Sequence, residues 1–305
     1  MGRGSGMQMK SENPESRSRR DETYSYKNSI KSGISDELIN TYLLRPIAGV
    51  VVWALYRTPL TPNQVTIAST LAGLIASIFY FRGEAHTTMI AGMLVTLKDV
   101  LDSADGQLAR ARGQYSRTGR FLDSIGDFIV DVALFGAIGW ALYRASDQPA
   151  MLALALAGLI GISLRVSYHV YYHTSFLHLE MKYGVNRVTE EITEEDRKGR
   201  ASELALQRVF QLIYGWQDEL ILRIDEWCRE GLTDDESRKN WFADSTGLRI
   251  SGLLGFGTEL FILMLCSVFN RLELYLYINL AVMNGVLVGG ILYRRMVLRK
   301  SLSSY

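Results

Sequence analysis

Only two of the 305 residues are cysteine, Cys228 and Cys266. Two thiols exclude a disulfide framework and any cysteine-based metal cluster, so both read as ordinary side chains in a reducing compartment. The formal net charge of +1 excludes nothing by itself, because the charges are strongly segregated along the chain; no nucleic-acid partner is expected. Residues 1–37 lack the apolar core of a secretory signal. They are polar, mixed in charge and rich in Ser and Arg, and read as a disordered cytosolic tail.

Long apolar windows dominate what remains, and 48% of all residues are hydrophobic. Stretches such as 67–81 and 276–293 suit a bilayer core of roughly 30 Å, which takes about 20 helical residues to cross. Spans are expected near 64–82, 88–110, 119–143, 150–174, 248–269 and 272–293. The fold class is therefore all-α, a polytopic membrane helix bundle of about six transmembrane helices. Ahead of the first span, 38–60 is moderately apolar but carries Arg45 and Pro46, which reads as an interfacial helix. Thr61, Pro62 and Asn63 then mark a helix start. The first four spans occupy 61–177, an acidic cytosolic insert 178–247, and the last two spans with a basic tail 248–305.

Charge asymmetry gives the orientation. Arg110, Arg112, Arg117 and Arg120 crowd the second-to-third turn, and Arg294, Arg295, Arg299 and Lys300 follow the last span. Turns on the opposite side carry Arg82, Arg144 and Arg271. The positive-inside rule places the termini and the arginine-rich turn in the cytosol. The insert 178–247 holds 16 acidic against 10 basic residues, a charge of −6, and is expected to project into water, away from anionic headgroups. Within it Leu206, Phe210, Ile213, Trp216, Leu220, Ile224 and Trp227 recur at helical spacing. That helix either packs on the rest of the insert or meets a membrane surface or a second copy, which leaves a homodimer open.

The chemistry lies in the second and third spans. Asp102 and Asp105 are three residues apart, Asp123 and Asp127 four apart, so each pair shares one helix face. A turn between them makes an antiparallel hairpin and gathers four carboxylates at the cytosolic membrane surface. Such a cluster needs a cation to offset its repulsion. All-oxygen ligands suit two Mg²⁺ or Mn²⁺ ions, which polarise a pyrophosphate and stabilise a leaving phosphate. Gly106 and Gly119 leave room for close approach, and Arg110 offers a donor fork for phosphate. A transporter or ion channel with intramembrane acids is the competing reading, but no paired broken helices in repeated halves are visible.

The segment 102–127 resembles the signature of the CDP-alcohol phosphatidyltransferase family (class I), D-x2-D-G-x2-A-R-x8-G-x3-D-x3-D. It matches at all eight fixed positions: Asp102, Asp105, Gly106, Ala109, Arg110, Gly119, Asp123 and Asp127. Pro62, Asn63 and Thr66 match the family's opening to the first span. The resemblance implies that the four aspartates bind two divalent cations and that Asp127 is the general base. It implies a cytidine diphosphate site lined by Gly106, Ala109, Arg110 and Gly119, with Asn63 and Thr66 beside it. The implied reaction is attack by an alcohol on the β-phosphorus of a CDP-linked lipid, releasing CMP and making a membrane lipid. The reverse division, a soluble CDP-choline or CDP-ethanolamine donor with a lipid alcohol, stays open. The insert is not a family feature.

Outside the signature, Lys98 is expected to pair with Asp131. Arg165, His169 and His173 form a stripe on the fourth span, and with Glu259 they are the candidates for binding a small alcohol acceptor, a polyol type preferred. Tyr168, Tyr171 and Tyr172 with Glu259 offer an alternative, an aromatic site for a cationic head group.

Overall fold

The computed structural model describes residues 26, 37–114, 116–179, 192, 200–232 and 234–302. The expected tail, apart from Tyr26 and Glu37, and most of the first third of the insert lie outside the described residues. Every regular element among them is a helix. In chain order these are α1 (Asn40–Leu55), α2 (Pro62–Arg82), α3 (Ala85–Arg112), α4 (Arg117–Ser146), α5 (Ala150–Leu179), α6 (Ala201–Arg229), α7 (Asp235–Ala243), α8 (Ser245–Val268) and α9 (Leu272–Ser301).

The chain is an integral membrane helix bundle. Five helices, α2, α4, α5, α8 and α9, are long and apolar enough to cross a bilayer. The remaining expected span, α3, has 28 residues but carries Lys98, Asp99, Asp102, Asp105, Arg110 and Arg112, so its composition is polar. It is surrounded by α1, α2 and α8, which accept that polarity. On α2 the large apolar residues are on the outer face and the small ones on the inner face. Ile67, Leu71, Ile75 and Ile78 face outward, whereas Ser69, Ala72, Gly73, Ala76 and Ser77 face the neighbouring helices. Small residues let backbones approach closely where lipid gives no hydrophobic drive between helices.

The helix ends follow local chemistry. Thr61 opens α2 with a capping box: its hydroxyl accepts from Gln64 N, and the Gln64 side chain accepts from Thr61 N at 2.8 Å. Ser116 caps α4 by accepting from Gly119 N at 2.9 Å. Arg112 is buried rather than facing the cytosol as a free charge. Its guanidinium donates to the carbonyls of Leu55, Tyr56 and Thr58 at 2.6–2.9 Å, satisfying the orphan carbonyls at the end of α1.

Three expectations change here. The fifth span is broken: Ser245–Gly252 and Phe256–Val268 are separate helical pieces of α8. The Glu37 carboxylate accepts from Thr258 N at 3.2 Å, and a Cβ on Gly255 or Gly257 would collide with it. The last helix runs beyond 293 through two π-helical stretches, Ile278–Met283 and Tyr293–Leu298. The insert does not simply project into water, because α6 packs along α4 and α5. Its anchor is Asp225, fully buried and accepting from Tyr171 Oη (2.9 Å), Tyr172 Oη (2.7 Å), Trp241 Nε1 (2.8 Å) and Arg229 Nε (2.6 Å).

Candidate active site

α3 and α4 are joined by the expected turn, closed by Gly113 at φ 65° and the Ser116 cap, and α2 packs against both, so the acids meet across the turn and not along a packed pair. One ligand oxygen from each of Asp102, Asp123 and Asp127 comes within 4.8 Å of the others. Asp105 is turned aside, and its Oδ2 accepts from the Thr66 hydroxyl on α2. Asp102 and Asp127 keep about a quarter of their side-chain surface open, 26% and 24%, so the cluster is reachable by a ligand.

Lys98 lies one turn before Asp102 and is almost wholly buried. Its ammonium binds Asp127 Oδ1, sits 3.6 Å from Asp102 Oδ1 and rests 4.6 Å over the Phe256 ring. The expected Lys98–Asp131 pair is therefore replaced by Lys98–Asp127. Toward Asp127 the ammonium meets two carboxylates at once, and toward Asp131 it would meet one.

The three carboxylates fit a hard divalent cation. All donors are oxygens, and Asp123 Oδ1 is buried with no hydrogen-bond partner, which a buried carboxylate oxygen tolerates poorly. Beside the acids, the Asn63 carboxamide lies where a Cβ on residue 119 would be, 2.6 Å from Oδ1. Only glycine lets α2 and α4 meet there. The Arg110 guanidinium folds over Gly106, and the Ala109 carbonyl closes α3 by accepting from Gln114 N at 2.9 Å. Asn63, Thr66, Gly106, Ala109, Arg110 and Gly119 thus belong to the helix ends that border the acid cluster.

The acceptor candidates are arranged differently. Arg165 is fully buried; it donates to Glu259 Oε2 at 3.0 Å and to Asn279 O at 3.1 Å, and also to the Asn284 side chain. Glu259 further accepts from Tyr275 Oη at 3.1 Å and from the Asn279 amide. Two residues read as separate ligands spend their charges on each other. His169 and His173 stack at 5.5 Å, and His169 Nε2 is 3.8 Å from Glu37. The aromatic cation site is also replaced: Tyr171 and Tyr172 donate to Asp225, and the Arg294 guanidinium occupies the Tyr172 face at 3.5 Å.

Sequence reasoning missed the wall that α6 makes beside the acids. Tyr214 donates to Ser124 O at 2.8 Å and packs edge-on to Phe128, while Phe210 meets Phe121. Asn279 and Asn284 were missed as well, although a polar amide inside an apolar span is a readable signal.

Residues 59–181 match the family model described as CDP-alcohol phosphatidyltransferase. A bifunctional IPC transferase and DIPP synthase from Thermococcus kodakarensis is 34% identical over 140 residues, 45% of this chain and 29% of that protein. An archaetidylinositol phosphate synthase from Pyrococcus horikoshii is 40% identical over 120 residues, 34% of this chain and 62% of that protein. The chain thus spans less than two thirds of either relative. A Mycobacterium tuberculosis phosphatidylinositol phosphate synthase, solved with CDP-DAG bound, superposes with a TM-score of 0.36 at 17% identity, covering 76% of this chain and 94% of that one. The acid residues 102–127 lie inside the matched segment, so the likeness to the CDP-alcohol phosphatidyltransferase family rests on residues 59–181.

Proposed function

We propose that this membrane protein transfers a phosphatidyl-type group from a CDP-linked lipid to a small polar alcohol, releasing CMP, in phospholipid biosynthesis. The carrying observation is the convergence of Asp102, Asp123 and Asp127 within 4.8 Å. In this reading those three, with Asp105 completing the set, hold two Mg²⁺ or Mn²⁺ ions. The ions supply positive charge to the donor pyrophosphate and the departing CMP. Asn63, Thr66, Gly106, Ala109, Arg110 and Gly119 line the cytidine diphosphate site, and Arg110 lends a planar fork to a phosphate.

Asp127 accepts the proton of the acceptor hydroxyl. The hydroxyl oxygen bonds to the β-phosphorus of the donor, the phosphoanhydride bond breaks, and CMP leaves with the bridging oxygen. Lys98 fixes the Asp127 carboxylate through Oδ1. The acceptor is a polyol type, and the names of the relatives favour a polyol carrying inositol chemistry. His169 and His173 remain acceptor candidates, whereas Arg165 and Glu259 act by positioning α5 against α8 and α9. The acid face is oriented to the cytosol, the domain limits follow those of the sequence reading, and a homodimer is compatible with the fold.

Purified protein given a CDP-linked lipid, a panel of alcohols and Mg²⁺ should release CMP with one acceptor class. EDTA should abolish release, and Mg²⁺ or Mn²⁺ should restore it. CMP release that persists in EDTA sinks the metal assignment, and absence of CMP with every acceptor sinks the reaction.

A further inference from the structure

The amphipathic helix α6 is outside the family-matched segment, and its apolar residues are split between two faces. The face turned to the bundle is mixed: Ile221 and Cys228 are buried on it, and Phe210 and Tyr214 pack on aromatic rings of α4. Gln207, Gln217 and Asp225 are buried there, and Gln217 Oε1 accepts from Ser163 (2.9 Å) and Ser167 (2.8 Å) on α5. Apolar residues point away from the protein at helical spacing: Val209, Leu212, Trp216, Leu220 and Trp227 are 42%, 80%, 52%, 38% and 51% exposed. The seven apolar positions expected to share one helix face are thus divided, with Phe210 turned in and Trp216 and Trp227 turned out.

We propose that α6 is embedded in the leaflet that contains the acid cluster, with its outer stripe against lipid acyl chains. Three observations fix lipid as the occupant. First, the partners of α6 lie within apolar spans: Phe121, Ser124 and Phe128 on α4, and Ser163, Ser167, Tyr171 and Tyr172 on α5. Ser163 precedes Leu179, the last residue of α5, by about 24 Å of helix at 1.5 Å per residue, so α6 lies along the sides of the spans and not only at their ends. Second, the span that α6 packs on also turns apolar residues outward, with Ile129 and Val132 on α4 47% and 44% exposed. Third, Arg208, Glu219 and Glu226 are exposed along one edge of the stripe, with Arg223 tied to Glu219. That division into bundle, lipid and charged flanks is what a helix lying in a membrane interface requires, and tryptophan is favoured at that depth.

This inference rests on the chain being a membrane protein and not on the proposed reaction. Cys228 and Cys266 are 1% and 7% exposed, so a nitroxide can be directed to an introduced thiol. Leu212→Cys and Trp216→Cys would be labelled in full-length protein in liposomes. Ile78→Cys on α2 serves as lipid reference and Lys239→Cys on α7 as water reference. Collision with oxygen should match Ile78, with loss of the collision with an aqueous nickel chelate that Lys239 shows. Nickel access equal to that of Lys239 overturns the proposal. Spin–spin broadening at 212 that disappears on dilution with unlabelled protein also overturns it, in favour of a second copy. Nickel access at Ile78 itself would remove the membrane reading and this inference together.

Discussion

Lys98 stands between two carboxylates, and its position gives Asp127 a fixed neighbour on one oxygen while the other stays available. A buried ammonium held by Asp127 and Asp102 and braced on Phe256 has little freedom, so it acts as a support rather than a ligand. The two residues should separate kinetically. Asp127→Asn keeps the shape and removes the proton acceptor, so CMP release should fall by about 10²–10⁴-fold, the usual worth of a general base, with CDP-lipid binding retained. Lys98→Met removes a support, which typically costs about 10–100-fold. Its loss should appear partly as weaker Mg²⁺ activation. A Lys98→Met enzyme as inactive as Asp127→Asn at saturating Mg²⁺ would place Lys98 in the chemistry itself. The acid stripes were legible from spacing alone, because three- and four-residue intervals fix a helix face. The Lys98 partner was not, because Asp127 and Asp131 lie on the same stripe and only the added pull of Asp102 separates them.

At the scale of elements, one buried carboxylate joins three helices. Asp225 on α6 receives two tyrosines from α5, Trp241 from α7 and Arg229 from its own helix. Removing it leaves four desolvated donors, one of them charged. Loss of one partner from a buried ionic network typically costs about 3–5 kcal/mol. Asp225→Ala should therefore lower the melting temperature in detergent and expose the α5–α6 contact to protease. An unchanged melt would mean that α6 is held by its other contacts, among them Gln217 and Tyr214. The sequence could not single out this residue, since in a stretch carrying 16 acidic side chains a buried aspartate reads like a solvated one. The start of α2 was legible because Thr61, Pro62 and Gln64 are local signals that need no tertiary context. The break in α8 was not, because it depends on Glu37, more than two hundred residues earlier.

Across the whole molecule, charge segregation and hydropathy point the same way. The arginines at the end of α3 and the start of α4 and the basic end of α9 fall at one end of the alternating spans, and the turns at 83–84, 147–149 and 270–271 at the other. Not all of those cations face solvent, since Arg112 and Arg294 are buried in capping and stacking contacts. Positive-inside bias counts residues near the span ends during insertion, when Arg112 and Arg294 have not yet found their partners, so both still contribute. A membrane-impermeant maleimide should modify Lys239→Cys, exposed on α7, only in vesicles that present the cytosolic face. Gln148→Cys, exposed in the turn between α4 and α5, should react only in vesicles of the opposite sidedness. Reversed labelling would put the acid cluster on the far side of the membrane, away from a cytosolic CDP-linked pool. Labelling of both positions from one side would break the count of spans between residues 148 and 239.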